Sequence, residues 1–209
     1  MTKKLRVQSG SAWLLLVATV LVAAVAGVWL GFRLVPTPKP PPLTTERVQE
    51  RRDFSLTDTN GKQVTLATYQ GKWMLMFFGF TACPEACPLA MQLVSATLGE
   101  MGELGKTIQP VFVSIDPARD TPAVLKEYLA HFSDNIAGLS GTAEETAAIA
   151  KAYGVFYRRR AIDGMDYTMD HSTALYLITP DGRYLRPFRA DVDPSELAEE
   201  LALAMKPLN

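Results

Sequence analysis

Two residue types that carry most thiol, metal and proton chemistry are scarce in this 209-residue sequence, which holds two cysteines and two histidines. Two cysteines allow at most one disulfide, so the chain is no disulfide framework. A closed structural zinc site wants four protein ligands, and no set of four is evident. Charge of one sign is missing too. Lys and Arg total 21 against 22 Asp and Glu, for a net charge of −1. No basic surplus exists to hold a nucleic-acid backbone, so no nucleic-acid partner is expected. There is no internal repeat. No acidic-poor, Arg- and Ser-rich leader opens the chain, which argues against organelle import. No cysteine follows the first apolar segment, which argues against lipid attachment there.

What is present begins with that segment. Residues 11–32 are almost purely apolar (SAWLLLVATVLVAAVAGVWLGF), long enough to cross a hydrocarbon layer of about 30 Å as one transmembrane helix. Trp13 and Trp29 stand near its ends, where interfacial aromatics sit. Lys3, Lys4 and Arg6 precede it, whereas only Arg33 and Lys39 follow closely. The bias keeps residues 1–10 in the cytoplasm and exports the remainder. Ala24-Val25-Ala26 resembles a signal-peptidase site, but the apolar run continues past it, so an uncleaved anchor in a bacterial inner membrane is the preferred reading. The C-terminal domain then lies in the periplasm. Residues 33–50 contain Pro36-Thr37-Pro38-Lys39-Pro40-Pro41-Pro42, an extended, semi-rigid linker.

Residues 51–209 suit one globular domain. Segments 54–57 and 63–66, joined through Asn60-Gly61, predict an N-terminal β-hairpin. The apolar runs 73–78 and 110–115 predict strands buried on both faces. Leu89, Leu93, Val94, Leu98, Met101 and Leu104 recur at helical spacing, with Pro88 in the first turn. Asp120-Thr121-Pro122 opens a second helix towards Phe132, and Thr142 with Glu145 a third, after a short strand at 136–139. Strands are expected at 155–159, 173–179 and 183–188, and a last helix from Asp193-Pro194. The order predicts an α/β mixed sheet with flanking helices.

Cys83 and Cys87 fall in the turn between strand 73–78 and its helix, the end of an α/β sheet where ligands bind. A helix N-terminus favours thiolate, the form that attacks disulfides and ligates soft metals. A disulfide between residues four apart closes too short a loop to add much stability, so a redox or metal role is favoured over a structural bridge.

Four pieces carry a resemblance. Gly79-Phe80-Thr81-Ala82-Cys83-Pro84-Glu85-Ala86-Cys87-Pro88, Val113-Ser114-Ile115-Asp116-Pro117-Ala118-Arg119-Asp120-Thr121, Asp170-His171-Ser172-Thr173 and Tyr176-Leu177-Ile178-Thr179-Pro180-Asp181-Gly182 resemble, in order, the signatures of the Sco family, also called SenC. The resemblance implies a thioredoxin-like fold, a membrane anchor and a role in building the binuclear copper centre of cytochrome c oxidase. It maps the copper ligands onto Cys83, Cys87 and His171. Thiolate sulfur suits Cu(I), and an added imidazole lets the set accept Cu(II). Ala82 departs from the polar residue that many relatives carry before the first cysteine.

Around that set, Asp116 is expected near the thiols or in a turn cap, and Asp170 behind the imidazole of His171. Met165 and Met169 are candidate thioether donors, though methionine is more often packing filler. His131 reads as a surface residue. Glu85 and the segment 153–169 are candidate docking surface.

Two functions follow. One is a copper metallochaperone that receives copper from a donor protein and passes it to the copper-bearing subunit of cytochrome c oxidase, its cysteines kept reduced by a thiol reductant. The other is an exported thiol-disulfide oxidoreductase in which Cys83 and Cys87 are the catalytic pair. Three residues between the cysteines, and no proline in Asp170-His171-Ser172-Thr173, favour the first.

Overall fold

The computed structural model describes residues 19–20, 51–162 and 165–206. The expected membrane segment, apart from Thr19 and Val20, and the proline-rich linker lie outside the described residues. Among those described, no helix is long and apolar enough to cross a membrane. The chain divides into two compact units, Met1–Leu43 and Thr44–Asn209.

The elements of the second unit run β1 (Ser55–Asp58), β2 (Gln63–Thr65), β3 (Trp73–Gly79), α1 (Ala86–Glu100), β4 (Ile108–Ser114), α2 (Pro122–Ala130), β5 (Ala137–Ser140), α3 (Ala143–Tyr153), β6 (Tyr157–Ile162), β7 (Met165–His171), β8 (Leu175–Ile178), β9 (Tyr184–Phe188) and α4 (Pro194–Ala204). Seven strands form one mixed sheet in the order β2-β1-β5-β4-β3-β8-β9. β3, β4 and β5 are parallel, and the other pairings antiparallel. This is the thioredoxin-like mixed sheet with flanking helices and an N-terminal hairpin.

The apolar run of β3 makes it central: every residue from Met74 to Gly79 is buried, between β4 and β8. Alternation sends successive residues to opposite faces. Phe78 packs with Tyr153 of α3 and with Tyr176 on one face. Phe77 packs with Phe112, and Phe112 with Tyr128 of α2, on the other. α1 covers that second face, and its Thr97 reaches the carbonyl of Pro194 at the start of α4.

Local signals set the ends. Thr121 accepts from the Val124 N–H, with Pro122 in the first turn of α2. Thr142 and Glu145 form a capping box, and α3 stops at Gly154 with φ of 68°.

Three expectations are corrected. In the first hairpin only Gly61 has positive φ, and the loop closes through the Asp58 carboxylate, which accepts the N–H groups of Asn60 and Lys62. Leu89 and Leu104 are exposed, and α1 buries Ala90, Met91 and Thr97 beside Leu93 and Val94. The strand expected at 155–159 is the first arm of a two-stranded ribbon, β6 with β7, standing outside the main sheet. The second arm, Met-Asp-Tyr-Thr-Met-Asp-His, was not expected, although it alternates apolar and polar residues as a strand does.

Candidate metal centre

Cys83 precedes α1, and Cys87 is in its first turn. The N-cap residue Glu85 makes no side-chain cap, and the Cys83 sulfur takes that part by accepting the Cys87 N–H at 3.3 Å. Cys87 is fully buried against the open face of Gly79, where a Cβ would come within 2.8 Å of its sulfur. Gly79 is therefore the space in which Cys87 sits.

His171 arrives from the last residue of β7, not from a corner just ahead of β8. Its Nδ1 lies 2.8 Å from the carbonyl oxygen of Ser172. A carbonyl only accepts, so Nδ1 carries the proton and Nε2 keeps a lone pair. That Nε2 is 3.6 Å from the Cys87 sulfur. Phe77 and Phe80 meet the ring edge to face at 6.1 and 5.7 Å, which fixes its plane.

The Cys83, Cys87 and His171 donor atoms all lie within 4.8 Å of one another. A three-coordinate ion with bonds of about 2.0–2.3 Å spaces its donors by roughly 3.5–4 Å, so small side-chain adjustments let all three close on one ion. Two sulfurs and an imidazole nitrogen select a soft or borderline metal.

The electrostatics separate the two thiols. A hydrogen bond from Cys87 holds the Cys83 thiol well below its ordinary range against the opposing effect of burial, helped by the backbone N–H groups of Cys87 and Glu85. The same bond, then burial and the Cys83 charge, push the Cys87 thiol up. The pair therefore holds one proton on Cys87 and presents a thiolate at Cys83. A metal must displace that proton to gain both sulfurs.

The outer residues are distributed differently from expectation. Asp116 is buried, accepting from the Tyr167 hydroxyl at 2.7 Å and pairing with Arg119. Arg119 also donates to the Tyr167 carbonyl and lies 3.7 Å above the Tyr167 ring. Asp116 thus fastens the ribbon that carries His171. Its own backbone carbonyl closes the following turn by accepting from Arg119 and Asp120. Asp170 forms ion pairs with Arg158 and Arg160, and the imidazole partner is Ser172 instead. Adjacent strand residues point to opposite faces, which separates Asp170 from the ring of His171. Met169 is buried on the same strand face as His171, and Met165 begins β7. His131 is exposed at the end of α2.

Asp120, which in the sequence belongs to the second family signature and to a helix start, had no site role assigned to it. It is fully buried and accepts from Ser114 Oγ and Thr81 Oγ1, both at 2.6 Å, and from the Thr81 N–H at 3.1 Å. Polar Ser114, Asp116 and Asp120 at and just after the end of a mainly apolar strand were the available signal.

Comparison with known proteins agrees with this arrangement. The SCO1/SenC family model matches residues 43–206. The mitochondrial SCO1 homolog of Homo sapiens is 38% identical over 157 residues, 74% of this chain and 52% of that protein. A SCO2-like protein of Rickettsia felis is 40% identical over 151 residues, 71% of this chain and 74% of its own length. The chain thus spans about half the length of the human relative. Copper-bound ScoI of Bradyrhizobium japonicum superposes with a TM-score of 0.67 at 40% identity, covering 74% of this chain and 99% of that one. Copper-bound yeast Sco1 superposes with a TM-score of 0.68 at 34% identity, covering 74% and 87%. With its fold, its order of motifs and nearly all of its second unit matched, the chain belongs to the SCO1/SenC family.

Proposed function

We propose that this protein is a membrane-anchored copper metallochaperone that assists assembly of the binuclear copper centre of cytochrome c oxidase. Copper is cargo, held as one ion by Cys83, Cys87 and His171. The observation that carries this reading is the imidazole: its Nδ1 is committed to Ser172, and its free Nε2 faces the Cys87 sulfur. A mixed-disulfide enzyme has no need of a lone pair there; a soft ion does. The relatives named as copper-bound support the choice of metal.

Uptake converts one thiol and one thiolate to two thiolates, releasing the Cys87 proton. Delivery is ligand exchange, in which donors of the oxidase subunit replace the three side chains one at a time while the ion stays coordinated. His171 is half-buried and Cys83 keeps 9% of its surface, whereas Cys87 keeps none and is sealed against Gly79. Exchange therefore starts at His171 and Cys83.

Residues 11–32 anchor the chain in a bacterial inner membrane, residues 33–50 act as a stalk, and the domain from residue 51 works in the periplasm beside a copper donor and a thiol reductant. A periplasm-dependent reporter fused after residue 50 is active under this topology and silent under the reverse one.

The oxidoreductase reading keeps one observation in its favour, the depressed Cys83 thiol beside a protonated partner. Mixing the copper-loaded chain with the apo copper domain of the oxidase subunit separates the two. A chaperone produces the EPR spectrum of the binuclear centre. A reductase reduces a disulfide-bridged copper domain without copper and transfers none.

A further inference from the structure

Binding copper requires both sulfurs to stay open as separate donors, yet two cysteines four residues apart in an exported domain are poised to oxidise. Something must keep them apart. A disulfide needs its sulfurs about 2.05 Å from one another. The Cys87 sulfur is fixed in α1, fully buried against Gly79. Any closing movement therefore belongs to Cys83 and its loop.

That loop is held at one place by a buried charge. Thr81, two residues ahead of Cys83, gives Asp120 both its hydroxyl, at 2.6 Å, and its backbone N–H, at 3.1 Å. Asp120 is fully buried and takes its further bond from Ser114 at the end of β4. Ser114 in turn accepts from the Asp116 N–H, so the clasp is built into the frame of the sheet. The next turn is closed by the Cys83 N–H on the Phe80 carbonyl, which transmits the position of Thr81 to Cys83. Hydrogen bonds to a buried carboxylate are the strong kind.

We propose that Asp120 is a positioning residue: through Thr81 it restrains the cysteine loop in the open dithiol form that accepts a metal and so disfavours the Cys83–Cys87 disulfide. The purpose of the clasp rests on the copper reading above, but its measurement does not.

Asp120→Asn removes a buried charge together with the restraint, and the lost charge by itself stabilises the thiolates. Thr81→Val isolates the restraint, because it deletes one hydroxyl and leaves Asp120 charged. The full chain, without copper, is equilibrated with mixtures of reduced and oxidised dithiothreitol and the free thiols are counted by alkylation. In that exchange Cys83 and Cys87 lose two electrons and the one proton held on Cys87, and the cyclic disulfide of the buffer gains the electrons, takes up that proton and one from solvent, and opens. Thr81→Val is expected to raise the equilibrium constant for the protein disulfide about tenfold, a potential lower by about 30 mV for this two-electron couple, and Thr81→Ser to restore the wild-type value. A Thr81→Val value within about twofold of wild type, on the same scale, or a serine variant that does not rescue, overturns the proposal. A parallel copper titration of the wild-type chain tests the other reading separately: the clasp stands if the potential shifts although copper fails to bind, and falls if copper binds and the potential does not shift.

Discussion

The two arms of the candidate metal centre are built in contrasting ways. Cys83 and Cys87 belong to the central strand and helix of the main sheet, with Cys87 fully buried and the loop clasped by Asp120. His171 ends a two-stranded ribbon outside that sheet, whose Arg158 and Arg160 pair with Asp170 and whose Arg159 pairs with Asp166 near the surface. Surface pairs contribute little to stability, so the ribbon depends on a few inward contacts: Tyr167 on Asp116, Arg119 across the Tyr167 ring, and the imidazole between Phe77 and Phe80. The sulfur arm is thus rigid and the nitrogen arm separately fastened. Under the proposed function, a donor on a separately fastened ribbon is one that can exchange without disturbing the core.

Breaking the rigid arm has the largest expected effect. Cys87→Ser removes the sealed sulfur and is expected to cost more than about a hundredfold in copper affinity, since even changes outside the ligand shell cost about 10–100-fold. Competition with a Cu(I) chelator under anaerobic conditions measures it. His171→Ala should weaken Cu(II) more than Cu(I), because two thiolates alone satisfy the softer ion; equal losses for both would place the two arms on one footing and remove the contrast.

Unfastening the ribbon without touching a ligand comes next. Tyr167→Phe deprives the buried Asp116 carboxylate of one donor, at a cost of about 1–3 kcal/mol, with copper affinity falling about tenfold. Hydrogen exchange should quicken in β6 and β7 while β3 and β4 stay protected. Uniform quickening would mean that the ribbon is part of the core. In the opposite arm Gly79→Ala drives a methyl group against the Cys87 sulfur and the rings of Phe77 and Phe112. Overpacking of this kind costs about 1–3 kcal/mol and is read as a lowered midpoint in denaturant.

The smallest expected effect concerns the division between the thiols. With the Cys83 thiol lowered and the Cys87 thiol raised, alkylation of the metal-free chain should fall on Cys83. Because the folded Cys83 pKa is depressed, its thiolate persists as pH falls below the ordinary thiol range and disappears only on further acidification. Peptide mapping after brief labelling checks this, and equal labelling of both cysteines would contradict it.

The same contrast explains what was legible in the sequence. β3 and β4 announce themselves as continuous apolar runs, and the caps at Thr121 and Thr142 act over one turn, so local chemistry suffices to place them. The cysteine loop followed from its position after β3. The second arm of the ribbon did not, although Met165, Tyr167 and Met169 alternate with Asp166, Thr168 and Asp170; its pairing partner, Tyr157–Ile162, carries three successive arginines and no such alternation. The family resemblance assigned His171, whereas its Ser172 partner depends on a backbone carbonyl that no residue type encodes. Asp116 and Asp120 were visible as acids near a strand end, but their partners, Tyr167 and Thr81, lie 51 and 39 residues away in the chain. Such contacts are set by packing of the whole domain rather than by any local pattern.

The most direct test of the account is copper K-edge X-ray absorption with EPR on the anaerobically reduced chain carrying one equivalent of copper, beside His171→Ala. The account predicts two sulfurs and one imidazole nitrogen on a single ion, with the nitrogen lost and both sulfurs kept in the variant. An unchanged spectrum in His171→Ala, or an ion without sulfur ligands, would contradict it.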